Sequence, residues 1–194
     1  MPESEIETLR MSALLHDVGK IAVDDNILKK PAALTDEEFE IMKTHPQRGY
    51  KIMSQIPAMK DFLPGMYMHH EMVNGMGYPQ GLKGHQIPLQ AKIVSVADTF
   101  DAMTIDRPYQ KALPLDKALE MISGYVGTRY DGRVVNALIE ACKCGEVANG
   151  VVRQRIQTGK APDQMGTEDL DGLDLPEPPP GQITVSERPT VISP

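Results

Sequence analysis

A chain of 194 residues, of which 41% are hydrophobic, is long enough for one domain with a substantial core. It has no tryptophan, few aromatic residues and 12 methionines, and such an aliphatic core favours helices over sheets. A net charge of -7 argues against general nucleic-acid binding through a basic face. The two cysteines, the lack of an apolar run near ~18 residues and the lack of a signal peptide predict a cytoplasmic protein.

Helical periodicity and capping signals predict a series of helices over the first 140 residues. The first covers residues 5–17 and ends at His16-Asp17, with Gly19 as the expected terminator. The remaining predicted helices run from the Thr35–Glu38 capping box to His45-Pro46, from Pro46 to Ile56, from 58 to the His69-His70 pair, from Leu89 to Thr104, after Pro114 and after Asp131.

Two segments depart from this helical pattern. Residues 73–89 are rich in glycine and contain two prolines, which predicts a loop. Residues 150–194 are rich in proline and acidic side chains, which predicts a disordered tail that buries too little apolar surface to fold. No strand pattern is convincing. The expected organisation is an all-α domain over residues 1–149, built as a helical bundle, followed by this tail.

Histidines and aspartates stand where several predicted helices end. If the helices 5–17, 58–70 and 90–104 pack as a bundle, these side chains can meet at one centre, as in other helical metal proteins. Asp98 lies inside an apolar helix, where a carboxylate is costly unless it is paired or bound to a metal. The candidate ligands are four imidazoles and two carboxylates: His16, Asp17, His45, His69, His70 and Asp98.

Six such ligands exceed what one tetrahedral zinc ion needs, and they suit two metal ions with a bridging carboxylate. The absence of a thiolate from the set favours iron or manganese. Two ions can clamp the attacking and leaving oxygens of a phosphoryl displacement and supply a bridging hydroxide. Lys20, Arg107 and Lys111 lie close to these ligands in the sequence, where their charges can hold phosphate oxygens.

These motifs together resemble the HD-GYP family, a branch of the HD metal-dependent phosphohydrolases. The resemblance covers about residues 9–140. The matching motifs, in chain order, are His16-Asp17-Val18-Gly19-Lys20, Lys30-Pro31 with Leu34-Thr35, His45-Pro46 with Gly49, His69-His70-Glu71 with Asn74-Gly75, Gly77-Tyr78-Pro79, Gly81-Leu82 with Gly84, Ile87-Pro88, Asp98 with Asp101-Ala102-Met103-Thr104, and Arg107-Pro108-Tyr109.

The resemblance implies an all-helical fold and hydrolysis of the bacterial second messenger cyclic di-GMP to pGpG or GMP. It implies two or three iron or manganese ions held by the six candidate ligands, with Asp17 and Lys20 acting in catalysis. It also implies that Tyr78 faces a guanine base. The residues implied to contact the substrate are Lys20, Gly77, Tyr78, Pro79, Asp101, Arg107 and Lys111, the last standing beside Gln110, where the family often has a basic residue.

One departure from the family pattern leaves alternatives open. Family domains usually carry one or two more helices and a further histidine before the His-Asp (HD) pair. In this chain the HD pair is His16-Asp17, and only 15 residues precede His16. The bundle is therefore expected to lack its first helices. Besides the phosphodiesterase, two alternatives remain: an impaired module that binds nucleotide or a signalling partner without hydrolysis, and a hydrolase of another cyclic dinucleotide. A regulatory protein partner and a homodimer also remain open.

Overall fold

The computed structural model describes residues 1–106, 111–148 and 151–152. Within them the chain is helical, so the predicted all-α class is confirmed. The strands of this part are two residues long and pair antiparallel. The elements are α1 Glu3–Leu15, α2 Asp25–Leu28, α3 Asp36–Met42, α4 His45–Met53, α5 Leu63–Tyr67, α6 Leu89–Thr104, α7 Leu115–Gly124, α8 Gly132–Lys143, the 3-10 helices Val18–Ala22 and Pro57–Met59, and the strands β1 Val147–Ala148 and β2 Val151–Val152.

Local capping explains where several helices begin. The capping box before α3 is present, because Thr35 Oγ1 accepts from Glu38 N at 3.3 Å and Glu38 Oε2 accepts from Thr35 N at 2.7 Å. Pro46 lies in the first turn of α4, where its missing N–H costs no helical bond. Asp131 caps α8 by accepting from Arg133 N. These starts, and both ends of α6, agree with the sequence patterns.

Several predicted boundaries are wrong. Helix α3 ends at Met42 instead of reaching His45-Pro46, and α4 ends at Met53 instead of Ile56. Helix α1 ends at Leu15, and Gly19 lies inside the Val18–Ala22 3-10 helix without the positive φ of a C-terminal cap. The helix predicted over 58–70 is instead divided into a 3-10 turn and α5, and it stops before the histidine pair. Pro64 explains why the predicted 58–70 helix is divided, because it stands in the first turn of α5 and so begins a new helix.

Helix α6 is the central element of the fold. It packs against α1, α5, α7 and α8, and nine of its 16 residues are buried. Such burial on most sides is expected for a helix whose sequence is apolar nearly all round. On one side α6 contributes Val96, Phe100 and Met103 to the largest hydrophobic cluster, with residues of α7 and α8. Its contact with α1 brings Asp98 towards the residues that follow α1.

The first 3-10 helix crosses α4 at very short range. A Cβ atom on Gly19 would lie 1.9 Å from the carbonyl oxygen of His45 and 2.5 Å from the nitrogen of Gly49. Only glycine allows the two backbones to approach this closely. The crossing holds the HD pair beside His45, so Gly19 serves close packing rather than helix termination.

None of the helices in the described ranges is long and apolar enough to cross a lipid bilayer. The predicted tail begins beside β2, and its residues from 153 onward lie outside the described part of the chain. The domain boundary near residue 149 and the disorder of the tail therefore stay predictions.

Candidate metal centre

The six candidate ligands come together from four parts of the fold. Each is placed at or next to a helix end, except for Asp98, which lies within α6. They are His16 and Asp17 after α1, His45 as the first residue of α4, His69 and His70 after α5, and Asp98 in α6. The helix ends therefore converge in the structure as predicted. The role of each residue as a metal ligand stays a prediction.

The ligand atoms form two adjoining groups of three. In each group the ligand atoms lie within 4.8 Å of one another. The first group is His45, His69 and His70, and the second is His16, Asp17 and His69. His69 belongs to both groups, so the two groups lie side by side. Asp98 joins the second group from the side, with Oδ1 3.7 Å from His16 Nε2.

Three of the histidines are oriented in the same way. In each, Nδ1 bonds to the backbone carbonyl three residues earlier, and a carbonyl can only accept, so we assign the ring proton to Nδ1. Nε2 of each ring is then left facing the centre, which is how ligand histidines are commonly fixed. The bonds run from His16 to Ala13 at 2.6 Å, from His45 to Met42 at 2.9 Å and from His69 to Met66 at 2.6 Å.

Several of the candidate ligand atoms are arranged in a way that fits a cation. Nε2 of His45 and Nε2 of His69 lie 3.3 Å apart, and both side chains are fully buried. With the proton of each ring on Nδ1, two lone pairs face each other. His16 Nε2 and Asp17 Oδ1 are also buried without a hydrogen-bond partner. Burying such atoms is costly unless a positive ion lies between them, so the residues present fit divalent metal ions.

Burial keeps three of the histidines neutral. Removal from water lowers the pKa of His45 to about 4 and that of His69 to about 3. Burial also lowers the pKa of His70 well below its ordinary value, helped by neighbouring positive charge. A metal ion binds the neutral imidazole. These three rings are therefore in the ligand form at neutral pH without losing a proton.

In the HD pair, neighbouring charges shift both pKa values in the direction opposite to the effect of burial. Burial alone would lower the pKa of His16, but the carboxylates of Asp17 and Asp98 next to Nε2 raise it to about 10. Burial would likewise raise the pKa of Asp17, yet contacts with His16 and Lys20 lower it far below its ordinary value. Without an ion, the two carboxylates thus recruit a proton to His16. The position attracts positive charge.

This charge balance predicts that metal binding tightens as the pH rises from 6 to 8. An ion that takes Nε2 of His16 must displace the proton that the raised pKa holds there, whereas His45 and His69 have none to lose. The expected slope is about tenfold in affinity per pH unit, with about one proton released. Calorimetry with Mn(II) in buffers of different ionisation enthalpy measures both quantities.

A matched pair of variants checks the origin of that proton. His16→Ala is expected to abolish proton release, whereas His85→Ala, in an exposed part of the loop, is expected to keep it. Affinity that stays flat between pH 6 and 8 in the unmodified chain would contradict the assignment.

Lys20 lies where the sequence places it, one turn beyond the HD pair. Its Nζ is 2.7 Å from Asp17 Oδ2, and 19% of its side chain is exposed. The ammonium group therefore faces the second ligand group from a partly buried position. Two of its three N–H donors remain for other acceptors near the centre.

The loop after the histidine pair lies against the first ligand group. The ring of Tyr78 stacks on the ring of His70 with 4.7 Å between centroids and 24° between planes. Lys43 Nζ lies 5.6 Å from the centroid of the Tyr78 ring. Gly77 packs directly onto the backbone of residues 70–72, and the Tyr78-Pro79 peptide bond is cis. That Tyr78 faces a guanine base stays a prediction.

Two other predicted substrate contacts, Lys111 and Asp101, are exposed. Lys111 is 92% exposed, and its Nζ lies 3.5 Å from Asp106 Oδ2. Asp101 is an exposed residue of α6, three positions after Asp98. Arg107 lies outside the described residues. Sequence reasoning also missed Lys43 and gave Glu71 no role; the position of Glu71 directly after two candidate ligands was the available signal.

Comparison with known proteins agrees with this geometry. A family model described as HD domain matches residues 1–134. The cyclic di-GMP phosphodiesterase response regulator RpfG of Xanthomonas campestris is 42% identical over 146 residues, covering 72% of this chain and 37% of that protein. The 3'3'-cGAMP-specific phosphodiesterase 3 of Vibrio cholerae is 38% identical over 133 residues, covering 69% of this chain and 29% of that protein.

Among solved structures, an HDG"Y"P protein from Bdellovibrio bacteriovorus has a similar fold, with a TM-score of 0.59 at 21% identity. The match covers 74% of this chain and 45% of that chain. The chain spans about a third of the length of the two curated relatives. The family model, the relatives and the shared fold agree with one another. This chain is a member of the HD domain family, of the HD-GYP type that its motifs predicted.

Proposed function

We propose that this chain is the catalytic domain of a phosphodiesterase that hydrolyses cyclic di-GMP to pGpG or GMP. The observation that carries the proposal is the pair of adjoining ligand groups that share His69, with the ammonium group of Lys20 beside them. The 42% identity to a protein named as a cyclic di-GMP phosphodiesterase supports the choice of substrate. The relevant setting is bacterial signal transduction.

The ligand chemistry supports two or three iron or manganese ions, because imidazole and carboxylate groups suit these metals and no thiolate takes part in either group. Such ions supply Lewis-acid stabilisation and an activated water for attack on phosphorus. We assign the six candidate ligands to them. His16, His45 and His69 present Nε2 because their Nδ1 atoms are held by backbone carbonyls.

The other residues bind and orient the nucleotide. Asp17 holds Lys20 through a 2.7 Å ion pair, so the ammonium group is fixed before substrate arrives. Its remaining donors stabilise charge on a non-bridging phosphate oxygen. The Gly77–Pro79 segment forms a wall of the pocket, and Arg107 supplies a second cation to phosphate.

A second candidate substrate is 3'3'-cGAMP. The 38% identity to a relative named for that nucleotide favours it. Both substrates present the same pair of phosphodiesters, and they differ in one base. The ligand cluster acts on the phosphate, so it does not separate them; contacts of the bases with the loop would decide between the two.

The test is turnover by purified protein loaded anaerobically with Mn(II) or Fe(II), with products separated by chromatography. We expect hydrolysis of cyclic di-GMP or 3'3'-cGAMP that a chelator abolishes and added metal restores. The preferred nucleotide identifies the substrate. Tight nucleotide binding without hydrolysis, together with fewer than two metal ions per chain, would favour the non-catalytic module instead. Lack of both binding and turnover would overturn the proposal.

A further inference from the structure

Glu71 follows the two candidate ligands His69 and His70 directly, yet it belongs to neither ligand group. Its side chain is buried, with only 3% of the residue exposed. Each carboxylate oxygen accepts a backbone N–H: Oε1 accepts from Gln80 at 2.6 Å and Oε2 from Leu82 at 2.8 Å. Buried carboxylates need such charge-assisted bonds to offset their lost hydration. The carboxylate thus ties a distant part of the loop to the histidine pair.

The same stretch of loop is attached at two further points. The backbone nitrogen of Tyr78 donates to the carbonyl oxygen of His70 at 3.2 Å. A Cβ atom on Gly77 would lie 2.3 Å from the nitrogen of Met72 and 2.6 Å from Glu71 Cα. Residues 77–82 therefore lie flat on the chain that carries His70. Two of the bonds that hold them there end on one side chain, Glu71.

The attachment has a consequence for a ligand ring. It places the ring of Tyr78 on the ring of His70, nearly parallel and 4.7 Å away. Stacking of this kind restricts rotation of an imidazole about its side-chain bonds. Partners that fix the rotation of a ligand ring commonly change metal affinity by about 10- to 100-fold.

We propose that Glu71 is a positioning residue of the metal centre. Its carboxylate binds the backbone of residues 80–82 and so keeps the Tyr78 ring stacked on the His70 ring. The stack in turn orients the His70 ring towards the ion bound by the first ligand group. The inference rests on the proposed function only for the presence of the ions. It assigns Glu71 a role without contact to metal or substrate.

The test uses Glu71→Gln, which keeps the size of the side chain. Its amide nitrogen cannot accept a backbone N–H, so at least one of the two bonds is lost. In the metal-free chain, NMR should show that the His70 ring protons lose the upfield shift caused by the Tyr78 ring, while those of His45 stay in place. Titration with Mn(II) should show one ion bound about 10- to 100-fold more weakly and the other unchanged.

Glu38→Gln is the matched control, because Glu38 also accepts a backbone N–H, from Thr35 in the cap of α3. It should change neither readout. Tyr78→Leu removes the ring and leaves the backbone bonds to Glu71, so it should reproduce both effects even where Glu71→Gln fails to fold. An unchanged His70 shift in Glu71→Gln, or Tyr78→Leu with both ions bound at wild-type affinity, would overturn the proposal. Neither readout needs turnover, so failure here is distinguishable from failure of the phosphodiesterase assignment.

Discussion

Replacing Asp17 with asparagine is expected to reduce phosphodiester hydrolysis by about 10²- to 10³-fold and to lower the metal content of the purified protein. The carboxylate of Asp17, a member of the second ligand group, also reaches the first, with Oδ2 3.3 Å from His16 Nε2 and Oδ1 3.4 Å from His45 Nε2. It also holds Lys20. Asparagine keeps the shape and removes the charge. Steady-state turnover and elemental analysis measure the two effects.

The matched control is Asp24→Asn, the same substitution seven residues further along the chain. Asp24 caps α2 by accepting from Asn26 N at 2.8 Å, and asparagine is an equally good N-cap residue. This variant should keep wild-type turnover and metal content. Wild-type turnover in Asp17→Asn would contradict the ligand assignment of the HD pair.

Replacing Gly19 with alanine is expected to destabilise the fold by about 3 kcal/mol and to release bound metal. The new Cβ would meet the His45 carbonyl oxygen at 1.9 Å and Gly49 N at 2.5 Å, and both are backbone atoms that cannot rotate away. The first 3-10 helix must therefore move off α4, which separates Asp17 from His45. Thermal unfolding should show a fall in Tm of roughly 6–12 °C, and elemental analysis should show the loss of metal.

Gly124→Ala provides the comparison. A Cβ at Gly124, the last residue of α7, would have nothing within 4 Å. Alanine is the better helix former, so this variant should be neutral or more stable by about 0.5 kcal/mol. Equal stability of the Gly19→Ala and Gly124→Ala variants would show that the short approach of the 3-10 helix to α4 is relieved without cost.

Sequence patterns alone predict the class of the fold, several helix limits and the members of the candidate metal centre. Helical periodicity is a local property, so both ends of α6 could be predicted from it. The capping box of Thr35 and Glu38 is equally local, because its partners are three residues apart. The order of the histidine and aspartate motifs predicted the family without any knowledge of distances.

How these residues face one another depends on contacts between elements that are distant in the sequence. The role of Gly19 depends on α4, about 30 residues further along the chain, and no pattern within a single helix encodes that contact. The orientation of His45 and His69 follows from carbonyls that helices leave unsatisfied where they end. The positioning role proposed for Glu71 depends on how a loop folds back over the histidine pair. Local propensity places residues on elements, whereas contacts between elements aim their side chains.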